Sequence, residues 1–114
     1  MTFNIEKRFN EIIQLLEKSK VLQDDILNAS NEIISCLQKG GKIIAMGNGG
    51  SAADSQHFVA EFIGRYKIER KSIAAIALTT DTSIITAISN DYDFDQIFSR
   101  QCESLAKPED VLIA

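Results

Sequence analysis

Three short, continuously apolar runs are the strongest constraint in this chain: "KIIAM" at 42–46, "SIAAIAL" at 72–78 and "VLIA" at 111–114. None shows the polar alternation of a half-exposed strand, so each reads as a strand covered on both faces. Between them, apolar residues recur at helical spacing over 51–64, about 82–89 and about 94–106. Strand, helix, strand, helices, strand predicts an α/β fold, a parallel sheet flanked by helices in a three-layer sandwich. The 114 residues suffice for one domain with a modest core and not for two.

Two amphipathic helices come before the first strand, from Phe3 to about Lys18 and from about Gln23 to Gln38, with Gly40 able to close the second. They cannot both be crossovers. Residues 1–40 are therefore expected to form a helical hairpin that packs on the domain or on a second subunit. The sequence stops at Ala114, at the lip of the third strand, where α/β proteins carry a functional loop. The expectation is of a chain truncated there.

Composition removes several function classes. A formal net charge of -4 argues against a nucleic-acid backbone as the main partner. Cys36 and Cys102 lack the close spacing of a thiolate metal knuckle or a redox pair, which suits a reducing cytoplasm, and no disulfide is expected. No apolar run approaches the ~18–20 residues of a membrane span, so a soluble, cytoplasmic protein is expected.

The first strand runs into "MGNGGSAAD", where glycines permit close approaches and Ser51 is a natural helix N-cap. Amides at such a helix start favour anionic or oxygen-rich ligands, although a tight strand-to-helix turn needs the same residues. Gly47, Gly49 and Ala52 formally satisfy a dinucleotide fingerprint. No acid ends the next strand, however: Glu69 precedes it, and Asp81 lies well beyond the ~20 residues expected.

Along the helix that follows, Asp54, His57 and Glu61 fall within an arc of roughly 60°. That helix is mostly small or apolar and is expected to be largely buried, which would leave these groups in need of partners. His57 and Glu61, one turn apart, can reach one metal ion, but they supply only two ligands, and a single His near a carboxylate is more often a hydrogen-bonded structural pair. Asn90 and Asp91 offer donors and acceptors for ligand hydroxyls, or ordinary turn chemistry. In "GRYKIER", Arg65, Lys67 and Arg70 read most simply as a solvated loop, with Arg65 the best placed to reach an anion.

Taken together, "GNGGSAADSQHFVAEFIGRY", "AIALTTDTSIITAISNDYDFDQIFSRQ" and "DVLIA" resemble the phosphoheptose isomerase family of the sugar isomerase (SIS) fold, a flavodoxin-like arrangement. The resemblance implies conversion of sedoheptulose 7-phosphate into D-glycero-D-manno-heptose 7-phosphate, in heptose and lipopolysaccharide precursor synthesis. It also implies substrate contacts at Asn48, Gly49, Gly50, Ser51, Glu61, Arg65, Asn90 and Asp91. His57 and Glu61 would be zinc ligands and Glu61 the catalytic base; the assembly would be a homotetramer with sites near subunit interfaces. The family's serine- and threonine-rich phosphate loop, and the later helix with further zinc ligands and the acid, are not in this sequence. Non-catalytic relatives, sugar-phosphate-binding regulators or replication-initiator-associating proteins, are the alternative; they lack a glutamate at the position of Glu61.

Overall fold

In the computed structural model, which describes residues 4–114, Asn4 starts the first helix by accepting a hydrogen bond from the Lys7 amide at 2.9 Å. Helix α1 spans Ile5–Ser19, a 3-10 turn covers Lys20–Leu22, and α2 spans Gln23–Gln38. Ser19, Lys20 and Gln23 all keep right-handed helical angles. The connecting "SKVLQ" holds no glycine, proline or asparagine to reverse the chain. So α2 carries on from α1, and the hairpin expected over 1–40 does not form; residues 1–3 of that span lie outside the described residues. No residue of α1 is buried, and Phe9, Ile12, Ile13 and Leu16 are each more than half exposed.

The chain falls into two compact units, one running up to Glu32 and the other spanning Ile33–Ala114. The second holds the sheet: β1 (Ile43–Ala45), β2 (Ala75–Ala77) and β3 (Val111–Ile113), all parallel, in the order β2-β1-β3. Ile44 lies opposite Ile76 on one side and Leu112 on the other. Ile43 and Ile44 are 0% exposed, so the central strand is covered on both faces as its apolar run predicts. Leu112 is 49% exposed, because β3 is an edge.

Helix α3 (Gly50–Ile63) links β1 to β2, while α4 (Thr82–Asp91) and α5 (Ser99–Leu105) link β2 to β3. The two steps run in opposite directions across the sheet, and right-handed crossovers place α3 on one face and α4 and α5 on the other. Asp81, too far along for a ribose-binding acid, caps α4 by accepting from the Ile84 amide at 2.9 Å. Buried Gln101 of α5 donates to the carbonyls of Leu78 and Ile97, at 3.0 and 2.8 Å, tying α5 to the chain leaving β2. No helix among the described residues is long and apolar enough to cross a membrane.

The starts of β1 and β3 are held by one carboxylate. Asp110 accepts from Lys42 Nζ at 2.5 Å, from the Lys42 amide at 2.8 Å and from the Lys107 amide at 2.8 Å. Burial pushes its carboxyl up, but the bonds from Lys42 and Lys107 and the Lys42 charge outweigh this and hold it below its ordinary value. A depressed carboxyl contributes stability that is complete above its unfolded value, about 4, and is lost as pH falls through the folded value. Asp110→Ala is expected to lower unfolding free energy by about 1–3 kcal/mol at neutral pH. Its penalty should shrink as pH falls below the unfolded value and through the lower folded one, where the native group also loses its charge. Urea unfolding of both proteins across that range measures it, and an equal penalty throughout would contradict the assignment.

Candidate functional site

Beyond β1 the chain reaches α3 through Met46, Gly47, Asn48 and Gly49. With β2 on one side of β1 and β3 on the other, this turn sits where the strand order reverses, the usual ligand position of an open α/β sheet. A Cβ on Gly47 would stand 2.7 Å from Ser51 Cβ, so only glycine lets the turn lie so close to the helix. Gly49 is the N-cap of α3, with φ 59° and ψ -122°, a conformation nearly confined to glycine. The expectation that Ser51 caps the helix is therefore corrected. Gly49 starts α3 earlier, and Ser51 becomes its second residue, donating its amide to Asn48 O at 3.1 Å.

Asn48, Gly49, Gly50 and Ser51 are all exposed. A cleft of about 340 Å³ opens beside them, lined among others by Ala45, Met46, Ser51, Asp54 and Phe58. Helix α3 meets the sheet through a stripe at Ala52, Ser55, Val59 and Phe62, of which only Ser55 is fully buried. The expected burial of the whole helix is not found. Its other apolar side chains fall outside the stripe, and Phe58 and Ile63 are 36% and 48% exposed. Gln56 adds a link to the end of β2, donating to Thr79 Oγ1 at 3.2 Å.

His57 and Glu61 do meet: Nε2 and Oε1 lie 3.1 Å apart on the open face of α3. With the His57 side chain 79% exposed and that of Glu61 37%, neither is a buried charge needing a partner, contrary to expectation. Their spacing is close to that of two neighbouring donors on a tetrahedral zinc ion, roughly 3.3 Å at ordinary bond lengths. Nitrogen and carboxylate oxygen are also suitable zinc donors, so the pair fits two positions of such a site. No group of three or more His, Cys, Asp or Glu side chains that could hold a metal occurs among the described residues.

The remaining expected contacts are dispersed. Asn90 and Asp91 end α4, both exposed, with Asn90 Nδ2 donating to Asp91 Oδ1 at 2.8 Å. No hydrogen bond or ion pair among the described residues joins them to α3. Arg65 is exposed and pairs loosely with Glu69, at 3.7 Å. Arg70, read from sequence as part of a solvated loop, instead folds back onto the end of α3; a cation shortly after a helix end is a weak sign of this. Glu61 lies about 16 Å along α3 from Gly50, at 1.5 Å per residue, and borders a separate apolar groove of about 460 Å³ with Phe58, Phe62, Tyr66 and Arg70.

Residues 8–114 match the family model described as the SIS domain. The chain belongs to the SIS domain family. Curated relatives include the phosphoheptose isomerase of Campylobacter jejuni, 54% identical over 109 residues, covering 96% of this chain and 59% of the relative. That of Syntrophotalea carbinolica is 50% identical over 113 residues, covering 98% and 58%. Among solved structures, the phosphoheptose isomerase of Neisseria gonorrhoeae superposes with a TM-score of 0.87 at 46% identity, covering 95% of this chain and 56% of that one. The Francisella tularensis phosphoheptose isomerase gives 0.78 at 33%, covering 96% and 60%. This SIS domain chain thus spans a little over half the length of the proteins it matches. Three parallel strands flanked by helices are the architecture that the resemblance implies.

In the glycine turn, a side chain at Gly47 would collide with Ser51 and one at Gly49 would be strained by its positive φ. Gly49→Ala is expected to cost about 1–3 kcal/mol, because alanine must either adopt the strained conformation or shift the start of α3. A fall in the urea midpoint with an unchanged slope would show it, whereas an unchanged midpoint would mean the turn relaxes freely.

Proposed function

We propose that this SIS domain is part of an aldose-ketose isomerase acting on sedoheptulose 7-phosphate and forming D-glycero-D-manno-heptose 7-phosphate. The observation that carries the reading is the His57–Glu61 pair, one turn apart on a helix opened by a glycine turn, in a chain similar to phosphoheptose isomerases over nearly its whole length. Aldose and ketose interconvert by moving a proton between C1 and C2 through an enediol. That needs a base beside the carbon and a group that stabilises charge developing on oxygen.

Glu61 is the proposed base. Its Oε1 faces His57, and the other oxygen of the carboxylate is the one assigned to the proton. Backbone amides at the start of α3 and the Ser51 hydroxyl would hold substrate oxygens, with Asn90, Asp91 and Arg65 as further proposed contacts. The donor chemistry and spacing of His57 and Glu61 support zinc at that pair; when bound there, zinc would polarise the substrate carbonyl. His57 then has a second duty in the proposal, fixing the orientation of the Glu61 carboxylate on the helix face.

A single copy leaves the proposed contacts far apart along α3, and the apolar side chains of α1 and the first turns of α2 are exposed. Both features support assembly as a homotetramer with sites near subunit interfaces. The free thiols Cys36 and Cys102 and a phosphorylated sugar substrate support a cytoplasmic setting.

In the full-length enzyme, Glu61→Gln is expected to lower turnover by about 10²–10⁴-fold, the usual contribution of a positioned base, while circular dichroism and the unfolding midpoint stay near the parent's. Undiminished turnover of sedoheptulose 7-phosphate in that variant would sink the mechanism. For the metal, elemental analysis should find zinc in the parent protein and much less in His57→Ala. Equal zinc in both would take His57 out of the site.

A further inference from the structure

Glu61 stands two residues before the end of α3, in the turn of a helix that frays most readily. The last carbonyls of a helix have no partner within it, so that turn is only as rigid as whatever accepts the task of holding them. Here one side chain does most of it. Arg70 Nη1 donates to Phe62 O at 2.8 Å and to Gly64 O at 3.3 Å, and Nη2 donates to the carbonyl of Glu61 itself. Nη1 also donates to Lys71 O at 3.0 Å, which ties the guanidinium to its own strand of chain. Phe62 O takes a second bond from the Ile73 amide at 3.0 Å, and Gly64 N returns to Ala60 O at 2.9 Å.

The loop is shaped to deliver this group. The chain reverses in a tight turn in which the Ile68 amide donates to Tyr66 O at 2.7 Å, with Lys67 between them held at a positive φ of 60°. That reversal brings Arg70 back over the helix end, half-buried, where its charge also complements the negative end of the helix dipole. A planar fork can hold neighbouring carbonyls at once, which an ammonium on a flexible stem cannot do with the same geometry.

We propose that Arg70 is a positioning residue: by clamping the carbonyls of Glu61 and Phe62 it fixes the backbone from which the Glu61 carboxylate is aimed. This rests on the isomerase reading for its catalytic consequence, but not for the clamp. Arg70 touches no reacting atom. It acts by keeping Glu61 within the few tenths of an ångström that proton transfer tolerates.

The test uses the full-length protein with Arg70→Ala. Hydrogen-deuterium exchange of the amides of residues 61–64 is expected to rise by about tenfold while the β1 amides are unchanged. Unchanged exchange at 61–64 overturns the clamp, whatever the protein acts on. With sedoheptulose 7-phosphate, kcat is expected to fall about 10–100-fold with KM within about twofold of the parent's, because aim and not binding is lost. Added guanidinium chloride should restore part of that kcat where ammonium chloride at equal concentration does not. Full kcat in Arg70→Ala, a loss confined to KM, or an equal response to the two salts would overturn the positioning role. A full-length parent with no isomerase activity would instead overturn the reading of Glu61 as a base, and the catalytic role with it, while the exchange experiment still decides the clamp.

Discussion

β1 has hydrogen-bonded neighbours on both edges and side chains covered on both faces, so its three residues cannot move without breaking a ladder on one side or the other. Everything described around the glycine turn is anchored to that strand. The turn leaves from its C-terminal end, α3 packs against it and β2 through one stripe, and Asp110 pins its N-terminal end to β3. A three-residue strand is a small foundation, but it has lost nearly all freedom, and the chain leaving it starts in a defined place and direction.

On that foundation α3 carries the proposed chemistry along its length. Its start presents exposed backbone and Ser51, and its last turn presents Glu61 beside His57. The two ends are secured by different means. Backbone conformation secures the first, through Gly49, and a side chain arriving from six to nine residues further along the chain secures the second, through Arg70. The middle is secured by packing and by Gln56 on Thr79.

How much of this the sequence disclosed follows from what kind of force sets each feature. Burial on both faces writes itself into a strand as an unbroken apolar run, so "KIIAM" was readable, and the order of runs and helical patterns carried the α/β architecture. The pairing of His57 with Glu61 was readable too, since helical spacing alone puts them side by side. Amphipathic spacing in the N-terminal helices told which side wants covering but not what covers it, and the reversal assumed between them had no turn residue in "SKVLQ" to make it. The apolar content of α3 was mistaken for burial, because an apolar side chain such as Phe58 or Ile63 can stay outside the packing stripe of a single copy. Arg70 reads from sequence as a solvated-loop residue because its role depends on a loop that doubles back at Lys67, a conformation that lysine does not advertise.

The joining of Gly49 and Glu61 by one uninterrupted helix has a consequence for how such a chain can change. Each residue added or removed inside α3 would turn Glu61 by about 100° relative to the glycine turn and slide it about 1.5 Å, carrying it off the face it shares with His57 or pulling the stripe at Ala52, Ser55, Val59 and Phe62 off the sheet. Length in this stretch is therefore fixed in whole-helix terms. In that sense α3 behaves as a ruler whose gradations cannot be respaced.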